Sequence, residues 1–151
     1  MDTAKQVYRE EAYELLADLE EALIELEQKP EDMGTVNRIF RAMHTIKGSG
    51  AMFGFDDIAG FTHTIETVYD LIREGKLGVS GDLISLTLQS CDQIKAMLEA
   101  SQGGAGADAS VTEEITASFK ELNPAERKDL KKKEGTPTAS GGTGTKDTPS
   151  S

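Results

Sequence analysis

Tryptophan is absent, cysteine occurs once, and aromatic residues make up only 5% of the 151-residue sequence. So few rings argue against a sandwich of sheets joined by aromatic pairs; they suit a bundle packed with Leu, Ile, Val, Ala and Met. The lone Cys91 cannot close an internal disulfide and has no Cys-x-x-Cys companion. That excludes the common zinc spacings and fits a reducing compartment, the cytoplasm. No apolar run approaches the ~20 residues needed to cross a bilayer. The opening Met1-Asp2-Thr3-Ala4-Lys5 also lacks the basic-then-apolar order of a secretory signal. Positive charge is scarce: 16 Lys and Arg face 27 Asp and Glu, for a net charge of −11. Nucleic acid and anionic membrane are therefore poor partners, although an acidic balance serves solubility first.

What is present reads as helix. Hydrophobic content of 37% with 28% charged residues supports a packed core. From residue 5 to 28, Tyr8, Ala12, Leu15, Leu19, Leu23 and Leu26 recur at three- and four-residue steps, while Glu10, Glu11, Glu14, Asp18, Glu21 and Glu25 take much of the other face. Pro30 and Gly34 interrupt the pattern. A second helix is predicted over 35–52, with Val36, Ile39, Phe40, Met43 and Ile46 or Lys47 on the core period. It carries Gly48 and Gly50, each costing about 1 kcal/mol relative to Ala in a helix interior. Gly54 marks a break, and an Asp of the Asp56-Asp57 pair is expected to cap a third helix over 57–74. There Ile58, Phe61, Ile65, Val68 and Ile72 form one stripe. After Gly75 and Gly78, Ser80 is the expected cap of a fourth helix reaching residue 100, with Leu83, Leu86, Ser90, Ile94 and Met97 inward. Residues 102–109 form a Gly/Ala-rich connection. Ser110-Val111-Thr112-Glu113 then has the form of a capping box opening a short fifth helix through Val111, Ile115, Phe119 and Leu122.

The expected architecture is all-α: an antiparallel up-down four-helix bundle with a short fifth C-terminal helix and a disordered tail. Residues 1–123 constitute the bundle. Residues 124–151, with Lys131-Lys132-Lys133 and then Gly, Ser, Thr and Pro, read as a flexible interdomain-type linker.

His44 and His63 are the only imidazoles. A histidine in a bundle is usually structural, so its neighbourhood must carry any chemical reading. Three, four and seven positions on from His44 stand Lys47, Gly48 and Ala51. A cation thus lies one turn away, and the surface beyond the ring is kept bare of bulk, as close approach by a large partner requires. Close helix packing through Gly48 and Gly50 is the other account, and both hold if the two glycines point in different directions. A nucleophilic imidazole must be neutral, with its tautomer fixed by a bond at the second nitrogen. Glu66 and Asp70 on the third helix are both placed to accept that bond, and spacing does not choose between them.

The run Phe40-Arg41-Ala42-Met43-His44-Thr45-Ile46-Lys47-Gly48-Ser49-Gly50, followed by Phe53-Gly54-Phe55, resembles the His-x-x-Lys-Gly signature of histidine-phosphotransfer (HPt) domains. It is most similar to the phosphotransfer domains of CheA-type chemotaxis histidine kinases. His63-Thr64-Ile65-Glu66 resembles a second, His-x-x-Glu element of that family. The resemblance implies that His44 is phosphorylated, that Glu66 orients it, that Lys47 is a phosphate-proximal cation, and that His63 is auxiliary. Gly48 and Ala51 would give clearance for partner docking. It further implies no independent catalysis and no bound cofactor or metal. ATP would be used by a separate CheA-type kinase domain, and the group would pass to an aspartate of a CheY- or CheB-like receiver. Arg41 and Met43 fall at variable positions of the pattern. Two other classes compete. A non-catalytic helical interaction module would leave the His44, Lys47, Gly48 and Glu66 cluster unexplained. A metal enzyme using His44, His63 and Glu66 would lack the Glu-x-x-His pairs that bundle metal sites use.

Overall fold

A computed structural model describes residues 3–103 and 106–124. These form five α-helices and, among the described residues, no strand. They are α1 (Thr3–Gln28), α2 (Met33–Met52), α3 (Asp56–Arg73), α4 (Gly81–Ala100) and α5 (Ala109–Leu122). The compact unit runs to Phe119, in the last turn of α5. The linker expected beyond Pro124 lies outside the described residues, as do residues 104 and 105 of the connection before α5. No described helix is long and apolar enough to cross a membrane.

Short connections at 29–32, 53–55 and 74–80 reverse the chain between α1 and α4. α1 lies against α2 and α4, α2 packs most extensively on α3, and α3 meets α4, closing an up-down bundle. Its interior is aliphatic, with Leu16, Leu23, Leu26, Val36, Ile39, Met43, Ile46, Ile58, Ile65, Ile94 and Leu98 fully buried. Such burial stabilises by about 1.5–3 kcal/mol for each Val- to Leu-sized side chain.

Local chemistry sets the ends. Asp32 caps α2 by accepting from the backbone N–H of Gly34 (3.0 Å) and Thr35 (3.3 Å), which starts the helix two residues earlier than periodicity alone predicts. At its far end Gly54 takes φ +87°, and the N–H of Phe55 returns to the carbonyl of Gly50 at 2.7 Å, a glycine-dependent reversal. Ser80 caps α4 as expected, accepting from Leu83 N–H at 3.1 Å. Two caps differ from expectation. Phe55 rather than an aspartate precedes α3, and Asp56 and Asp57 sit in its first turn, where their charge meets the positive end of the helix dipole. Asp108 rather than Ser110 organises the start of α5, accepting from both the N–H (2.9 Å) and the hydroxyl (2.8 Å) of Ser110. An ionised carboxylate is the stronger acceptor of the two.

The core stripes also differ in detail. Leu16 is fully buried and Leu15 only half-buried; both satisfy a step of three or four between Ala12 and Leu19. In α4 the inward line passes through Thr87 instead of Leu86. Thr87 can be buried because its hydroxyl donates to the Leu83 carbonyl (2.7 Å) and accepts from Tyr69 Oη (2.8 Å), which ties α3 to α4. In α5 only Ile115 and Phe119 are buried, while Val111 and Leu122 stay partly exposed. Gln93 of α4 donates to the Asp108 carbonyl (3.1 Å) and to Thr112 Oγ1 (2.9 Å).

Candidate functional site

The α2–α3 contact places His44 on the flank of α2 with 63% of its side chain exposed. Behind it stands Glu66 of α3, only 8% exposed. Glu66 Oε2 lies 2.5 Å from His44 Nδ1, and its other oxygen, Oε1, lies 2.6 Å from Lys47 Nζ. One carboxylate therefore bridges the two α2 side chains that stand a turn apart. Burial pushes the Glu66 carboxyl upward, but hydrogen bonds and charge from Lys47 and His44 outweigh it and hold the group below the usual carboxylate range.

An ionised carboxylate only accepts, so the proton of the pair belongs on His44 Nδ1. Nε2 is the nitrogen on the exposed side of the ring, and in the neutral imidazole it carries the lone pair. Buried behind, open in front, the imidazole has one free nitrogen.

The structure chooses between the two carboxylates that spacing left open. Asp70 pairs with Arg73 at 3.2 Å, within α3, and does not meet His44. Lys47 reaches the site, where its ammonium is paired with Glu66. His63 is exposed one turn before Glu66; among the described residues no hydrogen bond or ring contact joins it to His44. His44, Glu66 and His63 do not converge as ligands, and no described group of three His, Cys, Asp or Glu side chains does. Cys91 is buried in α4, with its thiol pushed up to about 12 chiefly by that burial.

The two glycines face opposite ways. A Cβ at Gly48 would have no atom within 4 Å, whereas one at Gly50 would come within 2.8 Å of Tyr8 Oη. Gly50 is buried, and its missing side chain is the notch into which Tyr8 fits. Gly48 and Ala51 are exposed beyond the imidazole. Tyr8 donates to the Ile46 carbonyl at 3.1 Å and its ring lies 4.7 Å from that of Phe55. Burial first, then the charges of Asp57 and Glu11, push its phenol up to about 12, so it stays a donor at neutral pH.

Two neighbours were not anticipated as site residues. Phe40, expected in the core, is half-buried; its ring runs nearly parallel to the imidazole (13°, centroids 6.2 Å apart) and forms the N-terminal wall of the site. Arg73 lies over that same ring, 4.0 Å from its centroid. The signal for Phe40 was its place four residues before His44; nothing in the sequence foretold Arg73.

The Hpt domain family model matches residues 4–104. A chemotaxis protein CheA of Borreliella burgdorferi is 46% identical over 92 residues, 61% of this chain and 11% of that protein. The chain thus covers between 11% and 20% of the length of the curated relatives it is compared with. Among solved structures, the CheA phosphotransferase domain from Thermotoga maritima is similar with a TM-score of 0.62 and 35% identity, covering 64% of this chain and 91% of that one. A solution structure of the histidine phosphotransfer domain of a CheA gives 0.72 and 30% identity, covering 80% and 92%.

Proposed function

We propose, on the premise that this chain belongs to the Hpt domain family, that it is a phosphoryl carrier in a chemotaxis-type two-component pathway. His44 Nε2 accepts the group. The carrying observation is the pairing of His44 Nδ1 with the buried Glu66 carboxylate while the rest of the ring stays exposed.

The steps balance simply. The Nε2 lone pair attacks the γ-phosphorus of ATP held by a separate CheA-type kinase domain, the bond from that phosphorus to the leaving ADP oxygen breaks, and an N–P bond forms. The ring now carries positive charge, shared through the Nδ1–H that faces Glu66, and the carboxylate stabilises it as the triad aspartate stabilises an imidazolium. In the second step a receiver aspartate of CheY or CheB type attacks the phosphorus. The N–P bond breaks, its electron pair returns to Nε2, and an acyl phosphate is formed. Lys47 is the cation beside the transferring group, which requires its ammonium to share itself between Glu66 and the phosphoryl oxygens. His63 has an auxiliary part, and Gly48 and Ala51 leave room for the partner. The chain supplies no catalysis alone, binds no cofactor itself, and works in the cytoplasm.

The test is incubation with a CheA-type kinase domain and radiolabelled ATP. The expected product is an acid-labile, base-stable label that maps to His44; an unlabelled wild-type chain would reduce the molecule to an inert helical interaction module.

A further inference from the structure

We infer that Arg41, the one α2 cation with no carboxylate partner among the described residues, is a steering charge that meets a carboxylate-rich rim of the receiver. This deepens the carrier reading and rests on it.

The molecule carries −11 overall, yet α2 contains no acid at all and three cations, Arg38, Arg41 and Lys47. Every other helix carries acidic residues. The three cations are not equivalent. Arg38 is held by Glu25 of α1 at 2.9 Å, and Lys47 by Glu66 at 2.6 Å. Arg41 is exposed, and among the described residues no carboxylate pairs with its guanidinium. It stands three residues before His44, on the same flank and about 4.5 Å away along the axis. On the other side of the imidazole, Gly48 and Ala51 are exposed and uncharged.

The chemistry of the acceptor names the occupant. Phosphoryl transfer onto a carboxylate recruits Mg²⁺, which proteins hold through further carboxylates, so the rim that must meet His44 is acidic. Such a rim and a chain of net charge −11 repel on average. The acid-free stripe of α2 is where that repulsion is locally reversed, which orients the encounter as well as speeding it.

The experiment measures transfer from the 32P-labelled 151-residue chain to a CheY-type receiver with MgCl2, receiver subsaturating, across a salt series. Three variants are compared: Arg41→Glu, Arg41→Gln and Lys29→Glu. Lys29 is likewise exposed and unpaired among the described residues, but it sits in the α1–α2 turn, so its reversal changes net charge equally without touching the stripe. The wild-type rate is expected to fall with added salt although the chain is acidic overall and faces an acidic rim. Arg41→Glu should lower the low-salt rate about five- to tenfold through encounter and flatten the salt dependence, with Arg41→Gln intermediate. Lys29→Glu should stay within about twofold. A wild-type rate that rises with salt, or equal losses in Arg41→Glu and Lys29→Glu, overturns the steering assignment and leaves the carrier reading standing. A labelled chain that passes nothing to any receiver overturns the carrier reading itself.

Discussion

The two flanks of α2 differ in what they do with the same deficit. Gly48 and Gly50 carry the same propensity cost and lie two residues apart, so the helix turns them to nearly opposite sides. On the inner flank the missing side chain is filled: Tyr8 enters at Gly50, bonds the Ile46 carbonyl and packs its ring at a tilt against Phe55. On the outer flank nothing fills it, and the vacant surface runs beside an imidazole whose rear nitrogen is held by Glu66. The inner flank fixes where α2 sits on the bundle; the outer flank spends that rigidity on access. Substitutions should therefore separate stability from transfer according to the flank they touch.

The largest separation is at the ring. His44→Gln should abolish the acid-labile label while circular dichroism and the unfolding midpoint stay near wild type, because the exposed ring supplies little packing. His63→Gln should keep the label. A label lost in the second variant and kept in the first would move the phosphoryl group to α3.

Glu66→Ala comes next. The nucleophile survives but its tautomer and developing charge lose their support, so phosphorylation should slow by about ten- to a hundredfold, the loss that follows removal of the group orienting a metal-bound histidine. Single-turnover rates with the kinase domain measure it, and an unchanged rate would pass the orienting role to solvent. The same pair predicts a pH effect on folding. The Glu66 carboxyl is held below its ordinary value in the folded chain, so its pairing stabilises above about pH 4.5 and is lost as pH falls through the lowered folded value. Urea titrations between pH 6 and pH 3 on wild type and Glu66→Gln should converge at the acid end.

The inner flank is tested by a cycle. Gly50→Ala gains about 1 kcal/mol of helix propensity but drives a methyl to 2.8 Å from Tyr8 Oη. That oxygen has no cheap retreat, since Tyr8 is 1% exposed and bonded to Ile46. Overpacking of this kind costs about 1–3 kcal/mol, so the single variant should be neutral to destabilised by about 2 kcal/mol. With Tyr8→Phe the nearest remaining atoms are the Phe55 carbonyl oxygen and the ring carbon, each at 3.5 Å, an ordinary contact. In that background Gly50→Ala should turn stabilising, and a cycle without coupling would remove the notch argument.

Much of this is legible in the sequence. The four-helix order follows from apolar periodicity, and the grouping of His44, Lys47, Gly48 and Glu66 from spacing together with a family resemblance. What was not legible depended on rotation and reach. Leu15 and Leu16 satisfy the same step, and only the packed angle of α1 selects Leu16. Phe40 fits the core period, yet it lies at the edge of the stripe and flanks the imidazole instead. Glu66 and Asp70 are a turn apart on α3; the α2–α3 contact hands one to His44 and leaves the other to Arg73. Arg41 had no motif to mark it, because its meaning lies in the carboxylate it lacks.

The smallest effect is the most selective. A methyl at Gly48 meets no atom within 4 Å, so Gly48→Ala should stabilise the chain by about 0.5–1 kcal/mol, the helix penalty of glycine recovered with no clash to offset it. Transfer should move the other way, because the space the methyl enters is the space a partner needs beside Nε2. Gly48→Leu enlarges the contrast, keeping the stability gain and blocking the approach. Labelling by a small phosphoryl donor, which needs no wide approach, should fall less than labelling by the kinase domain or transfer to the receiver. If Gly48→Leu is more stable and still exchanges phosphoryl groups with both proteins at wild-type rates, the open flank has no docking role, and the glycine there remains an unexplained cost.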